Sequence, residues 1–233
     1  MKVFIAGGNG LLGLESAYEL IRRGHSVRSL SMRPLPENLS IPPEMETVTG
    51  NFVTLSDEEL RFLLTGCEGF VFAGGVDERI ELPAPVMDYY LKYNVTPVER
   101  MLRIGKDIGV KRAVIMGSYF SYFAKKWPEM KLAEKHPYIQ SRKIQEEVAM
   151  SFNHSGMDIM MLELPYIFGT QPWRKPVWTF LVEIIKKMKI VTFYPRGGTT
   201  MVTVRQVAQA VAGALEKGKG GSCYPVGWFN LSW

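Results

Sequence analysis

Cysteine and histidine are scarce in this chain, two and three among 233 residues. Cys67 and Cys223 lie far apart, and neither has a Cys or His at ligand spacing. That argues against a disulfide framework and a zinc site and points to a reducing compartment, the cytoplasm. No apolar run approaches the roughly 20 residues that span a bilayer. The opening MKVFIAGGNG passes straight from a strand pattern into glycines, without the apolar core of a signal peptide. An unsecreted protein with no membrane partner is expected. Low-complexity stretches are missing too, which excludes a disordered chain. The formal net charge of +5 does not come from a basic tract. It is dispersed, in part as pairs such as Arg22-Arg23, Lys125-Lys126 and Lys186-Lys187, so nucleic acid is not an expected partner.

What the chain does have is alternation. Short apolar runs rich in β-branched and aromatic residues, KVFIA, SVRSL, ETVTG, FVFAG, RAVIMG and DIMMLEL, are separated by segments with apolar residues every three or four positions. The latter include LLGLESAYELIRR, DEELRFLLTG, VMDYYLKYNVTPVERMLRIGKDIG and YIQSRKIQEEVAMSF. This order predicts βαβ units and a doubly wound parallel α/β sheet, with strands buried on both faces. After about residue 170 the pattern changes. QPWRKPVW leads to a helix near 177–188, then KIVTFYPRGGTTMVTV, then a helix from about Arg205 to Glu216. Residues 1–170 are expected to form the main domain, and 171–233 a short rim or partial substrate lobe packed on it. In the closing NLSW, Asn230 or Ser232 would cap a helix that never follows, so a further lobe is expected to be lacking and the substrate side open.

Between the first strand and first helix, AGGNGLLG sets Gly7, Gly10 and Gly13 three residues apart. Gly7 suits a tight turn, Gly10 a close approach to a pyrophosphate, and Gly13 close packing of helix on strand, with the helix N-terminus facing the phosphates. A dinucleotide site is the functional reading. A tight turn without ligand is the bland one.

With its later segments, this GxxGxxG pattern resembles the extended and atypical short-chain dehydrogenase/reductase superfamily, in particular its NAD-dependent epimerase/dehydratase group. GNF (50–52) stands where that group commonly has GDL, and FVFAGG (70–75) where it has a strand ending in HLAA. MGSYFSYF (116–123) matches TSSxxVYG, and LELPYIFG (162–169) matches LRPxxVYG. The resemblance implies a Rossmann-like fold. It implies cofactor contacts from Gly7, Asn9, Gly10, Leu11 and Gly13 in the turn, and from Ser31 and Arg33 after the second strand. Further contacts would come from Asn51 and Phe52, from Ala73, Gly74 and Gly75, and from Pro165, Tyr166 and Ile167. Where NAD-binding members carry an acidic residue, this chain reads Ser31-Met32-Arg33. A guanidinium fork suits a 2′-phosphate, so NADP is expected over NAD, the alternative being an exposed loop arginine.

The resemblance also supplies a catalytic set: Ser118 four residues before Tyr122, Asn94 in the long helix, and a tyrosine followed four residues later by a lysine. In HPYIQSRKIQEE the tyrosine is Tyr138, but the fourth residue on is Arg142, and Lys143 is the fifth. At about 100° per residue, Arg142 lies about 40° round the helix from Tyr138 and Lys143 about 140°. Only Arg142 can share the tyrosine's face, so it is expected to take the lysine's place beside the nicotinamide ribose. A phenol with an ordinary pKa of about 10 needs a fixed cation to act at neutral pH. Arginine supplies that charge but cannot readily surrender a proton to a relay.

Other features carry less. Ser118 could merely cap a turn, Asn94 could be a helix-surface residue, and His136 an N-cap neighbour. His25 and His154 belong to loops. Trp127, Trp173, Trp178, Tyr194 and the thirteen methionines suit core packing or a pocket for an aromatic substrate. Asp77, Glu78 and Arg79 follow the fourth strand and could contact substrate or one another. The resemblance implies an NAD(P)-dependent oxidoreductase, epimerase or dehydratase acting on a carbonyl or hydroxyl carbon of a small molecule, nucleotide-linked sugars included. A homodimer paired through helices 87–108 and 138–153 would follow the family's habit. The alternative is a non-catalytic NADP(H)-binding redox sensor or partner-binding module, which the arginine favours.

Overall fold

The structure, a computed structural model, describes residues 1–154, 156–188 and 196–232. The whole KIVTFYP stretch (189–195), Tyr194 included, and Trp233 lie outside the described residues. The alternating pattern folds into one parallel sheet built from β1 (Lys2–Ala6), β2 (Ser26–Ser31), β3 (Met45–Thr49), β4 (Gly69–Phe72), β5 (Arg112–Met116) and β6 (Asp158–Glu163). A seventh strand, β9 (Ser222–Pro225), extends the order to β3-β2-β1-β4-β5-β6-β9. Beyond its edge β7 (Tyr166–Phe168), β8 (Gly198–Thr203) and β10 (Phe229–Ser232) form a small second sheet in the order β10-β8-β7. Asn230 and Ser232 therefore do not act as helix caps. They pair with Thr200 and Gly198 of β8, a partnership across some 30 residues that local propensity does not reveal.

Each central strand divides its side chains between two cores, as period-two alternation requires. Phe4, Phe70, Phe72 and Ile115 face one layer of helices, while Val3, Ile5, Val71 and Val114 face the other. The first layer holds α2 (Asp57–Leu64), α4 (Thr96–Ile108) and α7 (Pro137–Ser151), and the second α1 (Leu11–Arg22) and α9 (Val204–Lys217). Burying one such side chain completely contributes about 1.5–3 kcal/mol, so the two cores make the sheet a rigid platform for its loops. The long helical pattern at 86–108 is not one α-helix. α3 (Val86–Tyr90) passes through a π-helical turn, Leu91–Val95, into α4. Short helices α5 (Tyr119–Lys126) and α6 (Leu132–Lys135) lie before α7, and α8 (Thr179–Lys187) lies on the C-terminal rim. No described helix is long and apolar enough to cross a membrane.

Candidate active site

Strand order reverses between β1 and β4, and a cleft of about 810 Å³ opens there, over the carboxyl ends of the sheet. Six strand ends feed it: Gly7 after β1, Ser31 closing β2, Asn51 and Phe52 after β3, Ala73–Gly75 after β4, Gly117 and Ser118 after β5, and Leu164–Ile167 after β6. The glycine turn is fastened by its backbone. Gly7 and Gly8 donate to the Leu30 carbonyl at 2.8 and 3.3 Å. Gly7 has φ +88°, and a β-carbon on Gly13 would lie 2.2 Å from the Gly7 oxygen, so neither position accepts a side chain. Gly10 caps α1 with no side-chain hydrogen bond, and the first turn holds no acidic residue. The helix thus presents free N–H groups and the positive end of its dipole, an arrangement that fits a pyrophosphate.

Asn9 joins this turn to the second strand. Its N–H donates to Ser31 Oγ at 2.8 Å, its Nδ2 donates to the Arg33 carbonyl at 2.9 Å, and its Oδ1 accepts from Ser29 Oγ at 2.8 Å. Ser31 is consequently buried and engaged, while the Arg33 side chain is exposed on the cleft wall. Asn51 and Phe52 line the same end.

At the other end, Ser118, Tyr138 and Arg142 all line the cleft. Ser118 caps α5, its Oγ accepting from Phe120 N–H at 3.3 Å, which leaves the hydroxyl proton for another acceptor. The capping and functional readings of Ser118 are therefore compatible. Tyr138 is buried between Tyr90 and Phe120, with ring centroids 5.6 and 6.2 Å away. The Arg142 guanidinium carbon lies 5.1 Å from the Tyr138 ring centre. Arg142 donates to Gln145 Oε1 at 3.0 Å and to the Val76 carbonyl at 3.4 Å, and its buried Nε has no partner among the described residues. Lys143 points away, exposed and 3.6 Å from Glu147. His136 caps α7, Nδ1 accepting from Tyr138 N–H at 3.3 Å.

Asn94 does not line the cleft. It sits fully buried in the π-helical turn, where Oδ1 accepts from Val76 N–H at 2.8 Å and Nδ2 donates to the Val76 carbonyl at 3.0 Å. The Asn94 backbone carbonyl accepts from Gln145 Nε2 at 2.6 Å. Asn94 and Gln145 thus hold the loop after β4 and, through Gln145, the Arg142 guanidinium. Gly75, at φ +119°, gives Asn94 room, since a β-carbon there would lie 2.5 Å from Oδ1.

Several cleft residues carried no decisive signal in the sequence. Arg79 pairs with Asp77 and lies 5.4 Å from the ring centre of Trp178. Burial opposes ionisation of Asp77, but hydrogen bonds from Arg79 outweigh it and hold the carboxyl below its usual range. Burial pushes the Tyr119 phenol well above its ordinary value, so it stays a neutral donor. Gln171, Arg174 and Trp178 bring the C-terminal rim to the cleft. Of the other tryptophans, Trp173 packs against the core and Trp127 stacks on Phe123 at 4.8 Å. Away from the cleft, ligand atoms of Glu146, Glu163 and Cys223 lie within 4.8 Å of one another. The Lys125 ammonium, 2.5 Å from Glu146 and 2.8 Å from Glu163, stands where a metal ion would sit.

Known proteins agree with this architecture. The family model described as NAD dependent epimerase/dehydratase family matches residues 3–227. A putative dihydroflavonol 4-reductase of Synechocystis sp. is 26% identical across 98% of this chain and 68% of its own length. The 4-hydroxy-2-methyl-3-oxo-4-farnesyl-3,4-dihydroquinoline-1-oxide ketoreductase of Stigmatella aurantiaca is 23% identical across 96% of this chain and 67% of its own. The chain thus spans about two-thirds of both. A dTDP-glucose 4,6-dehydratase of Streptomyces venezuelae, solved with NAD, superposes with a TM-score of 0.77 at 18% identity over 99% of this chain and 77% of that one. At that identity the likeness establishes the fold. By the span of the family match, with the Rossmann-like sheet and its glycine turn, the chain belongs to the NAD-dependent epimerase/dehydratase family of enzymes.

Proposed function

We propose that this enzyme interconverts a carbonyl and a hydroxyl carbon of a small molecule, with Tyr138 moving the proton, Ser118 holding the substrate oxygen and Arg142 standing in for the family's lysine. The observation that supports this most is the convergence of these three residues on the cleft that also holds the glycine turn. A bound nicotinamide dinucleotide supplies or accepts the hydride. The uncapped α1 N-terminus would hold its phosphates, and the unpartnered Arg142 Nε would donate to its ribose. Arg142 fixes a positive charge by the Tyr138 ring, and Gln145 and the Val76 carbonyl fix Arg142. Because a guanidinium does not titrate near neutrality, the proton leaves Tyr138 toward water or substrate, and not along a lysine relay.

NADP is the favoured cofactor in this reading, supported by exposed Arg33 on the cleft wall and by the lack of a carboxylate at Ser31. The substrate class follows from the far wall, where Tyr119, Phe120, Tyr166 and Trp178 offer ring faces and edges. Those suit a flat, apolar ketone better than a sugar. Pairing of two copies through the helical segments 87–108 and 138–153, and a cytoplasmic location, complete the reading; sedimentation velocity tests the pairing, and microscopy of a tagged chain the location. The decisive assay follows oxidation of NADPH and NADH over a panel of aromatic ketones and nucleotide-linked keto sugars. Turnover with NADPH and an aromatic ketone is expected, and Arg33→Ala should weaken NADPH selectively. Saturable binding of cofactor with no consumption across the panel would instead identify a sensor.

A further inference from the structure

The C-terminal rim crosses the mouth of the cleft and is fastened on both sides. On one side Gln171, 7% exposed, sets its Nε2 3.2 Å from the Gly10 carbonyl oxygen. On the other, Trp178 donates from its indole to the Ile167 carbonyl at 2.6 Å and stacks with Arg79. Between them the chain turns tightly, Arg174 N–H donating to the Gln171 carbonyl at 3.0 Å. This short bridge puts Arg174 on the wall of the cleft that also includes Gly10, Leu11 and Leu12.

The Arg174 guanidinium is exposed and has no ion pair or hydrogen bond among the described residues. Arg79, by contrast, is neutralised by Asp77, and Arg142 is engaged by Gln145 and the Val76 carbonyl. Among the described residues Arg174 and Arg33 are both cleft cations without a partner, and with the uncapped positive end of α1 they face the same space. An anion placed between Arg174 and the α1 N-terminus is attracted by both. We infer that Arg174 binds the pyrophosphate of the dinucleotide from the rim, opposite the α1 N-terminus. The inference rests on the reading of the cleft as a dinucleotide site. The Gln171 anchor and the turn at Arg174 N–H fix the backbone that carries Arg174, so the loop itself need not be ordered on binding.

The test titrates NADPH by its fluorescence into the unmodified chain, Arg174→Ala and Arg174→Lys, then displaces it with ADP-ribose or with 2′-AMP. ADP-ribose carries the pyrophosphate and 2′-AMP does not. Loss of one charge-assisted contact predicts NADPH and ADP-ribose weaker by about tenfold to a hundredfold in Arg174→Ala. Arg174→Lys should recover part of that loss, and 2′-AMP should displace with unchanged affinity. Unchanged ADP-ribose affinity in Arg174→Ala overturns the inference, also when UDP-glucose binding falls in its place, since Arg174 would then serve a substrate diphosphate. An equal loss for 2′-AMP overturns it as well, by showing a general charge effect. If the unmodified chain binds neither NADPH nor ADP-ribose, the dinucleotide reading itself fails.

Discussion

Arg142 is the residue on which the chemistry of this site turns. A lysine there would be a compact ammonium able to pass a proton. The guanidinium is a planar fork, held by Gln145 and the Val76 carbonyl, with Nε left over. Tyr138→Phe should abolish turnover while leaving cofactor affinity nearly intact, because only the hydroxyl is removed. Arg142→Ala should weaken both, and should also cost about 1–3 kcal/mol of stability by stranding buried partners. Lys143→Ala should change neither, since Lys143 faces solvent beside Glu147. Steady-state kinetics, cofactor titration and thermal melts of the three variants check this. A Lys143→Ala chain that loses turnover would refute the assignment.

Cys223 is a second residue with a definite expectation. Burial, then the neighbouring Glu146 carboxylate, pushes its thiol up to about 12. Thiolate is the reactive form, so alkylation by iodoacetamide at pH 8 should be slow in the folded chain and fast in denaturant. Rapid modification of native Cys223, read by mass spectrometry, would contradict the described environment.

At the scale of elements, the glycine turn and α1 form one device. Gly13→Ala would drive a methyl group into the Gly7 carbonyl, which is itself fixed by the Gly10 N–H at 2.9 Å. The backbone must shift, and overpacking of this kind costs about 1–3 kcal/mol. A lowered melting temperature together with weakened dinucleotide binding is expected, and a variant with unchanged binding would show that the turn's tightness is not required. The central strands legible in the sequence share a physical feature: β1, β4, β5 and β6 are near-continuous apolar runs bounded by glycine or polar residues, so burial on both faces leaves its mark locally, whereas the edge strand β3, METVT, is largely exposed. The π-helical turn at Leu91–Val95 left none, because its LKYNV has the same apolar spacing as an α-helix. α5 was also hidden, since YFSYFAKK reads as aromatic alternation until Ser118 is seen capping it.

At the scale of the molecule, the site joins residues whose sequence separations differ widely, and legibility falls with that distance. Tyr138 and Arg142 are four residues apart, so helix geometry alone put them on one face. Gln171 meets Gly10 across 161 residues, and nothing in QPWRKPVW signals that contact. β9 entered the main sheet unannounced for a similar reason, since SCYP carries no alternation and its place depends on pairing with β6. The family resemblance recovered part of what local patterns could not, because its motifs mark the strand ends that line the cleft. It did not single out Arg79, Arg174 or Trp178, which lie in loops and rim.

The central claim is that this cleft binds a nicotinamide dinucleotide with the glycine turn at its phosphates and Arg142 at its ribose. A fluorescence titration of NADPH into the unmodified chain, Gly13→Ala and Arg142→Ala tests it most directly. Saturable binding at one site per chain, weakened in both variants, is the predicted result. Absence of saturable binding in the unmodified chain, or affinity unaffected by both substitutions, would contradict it.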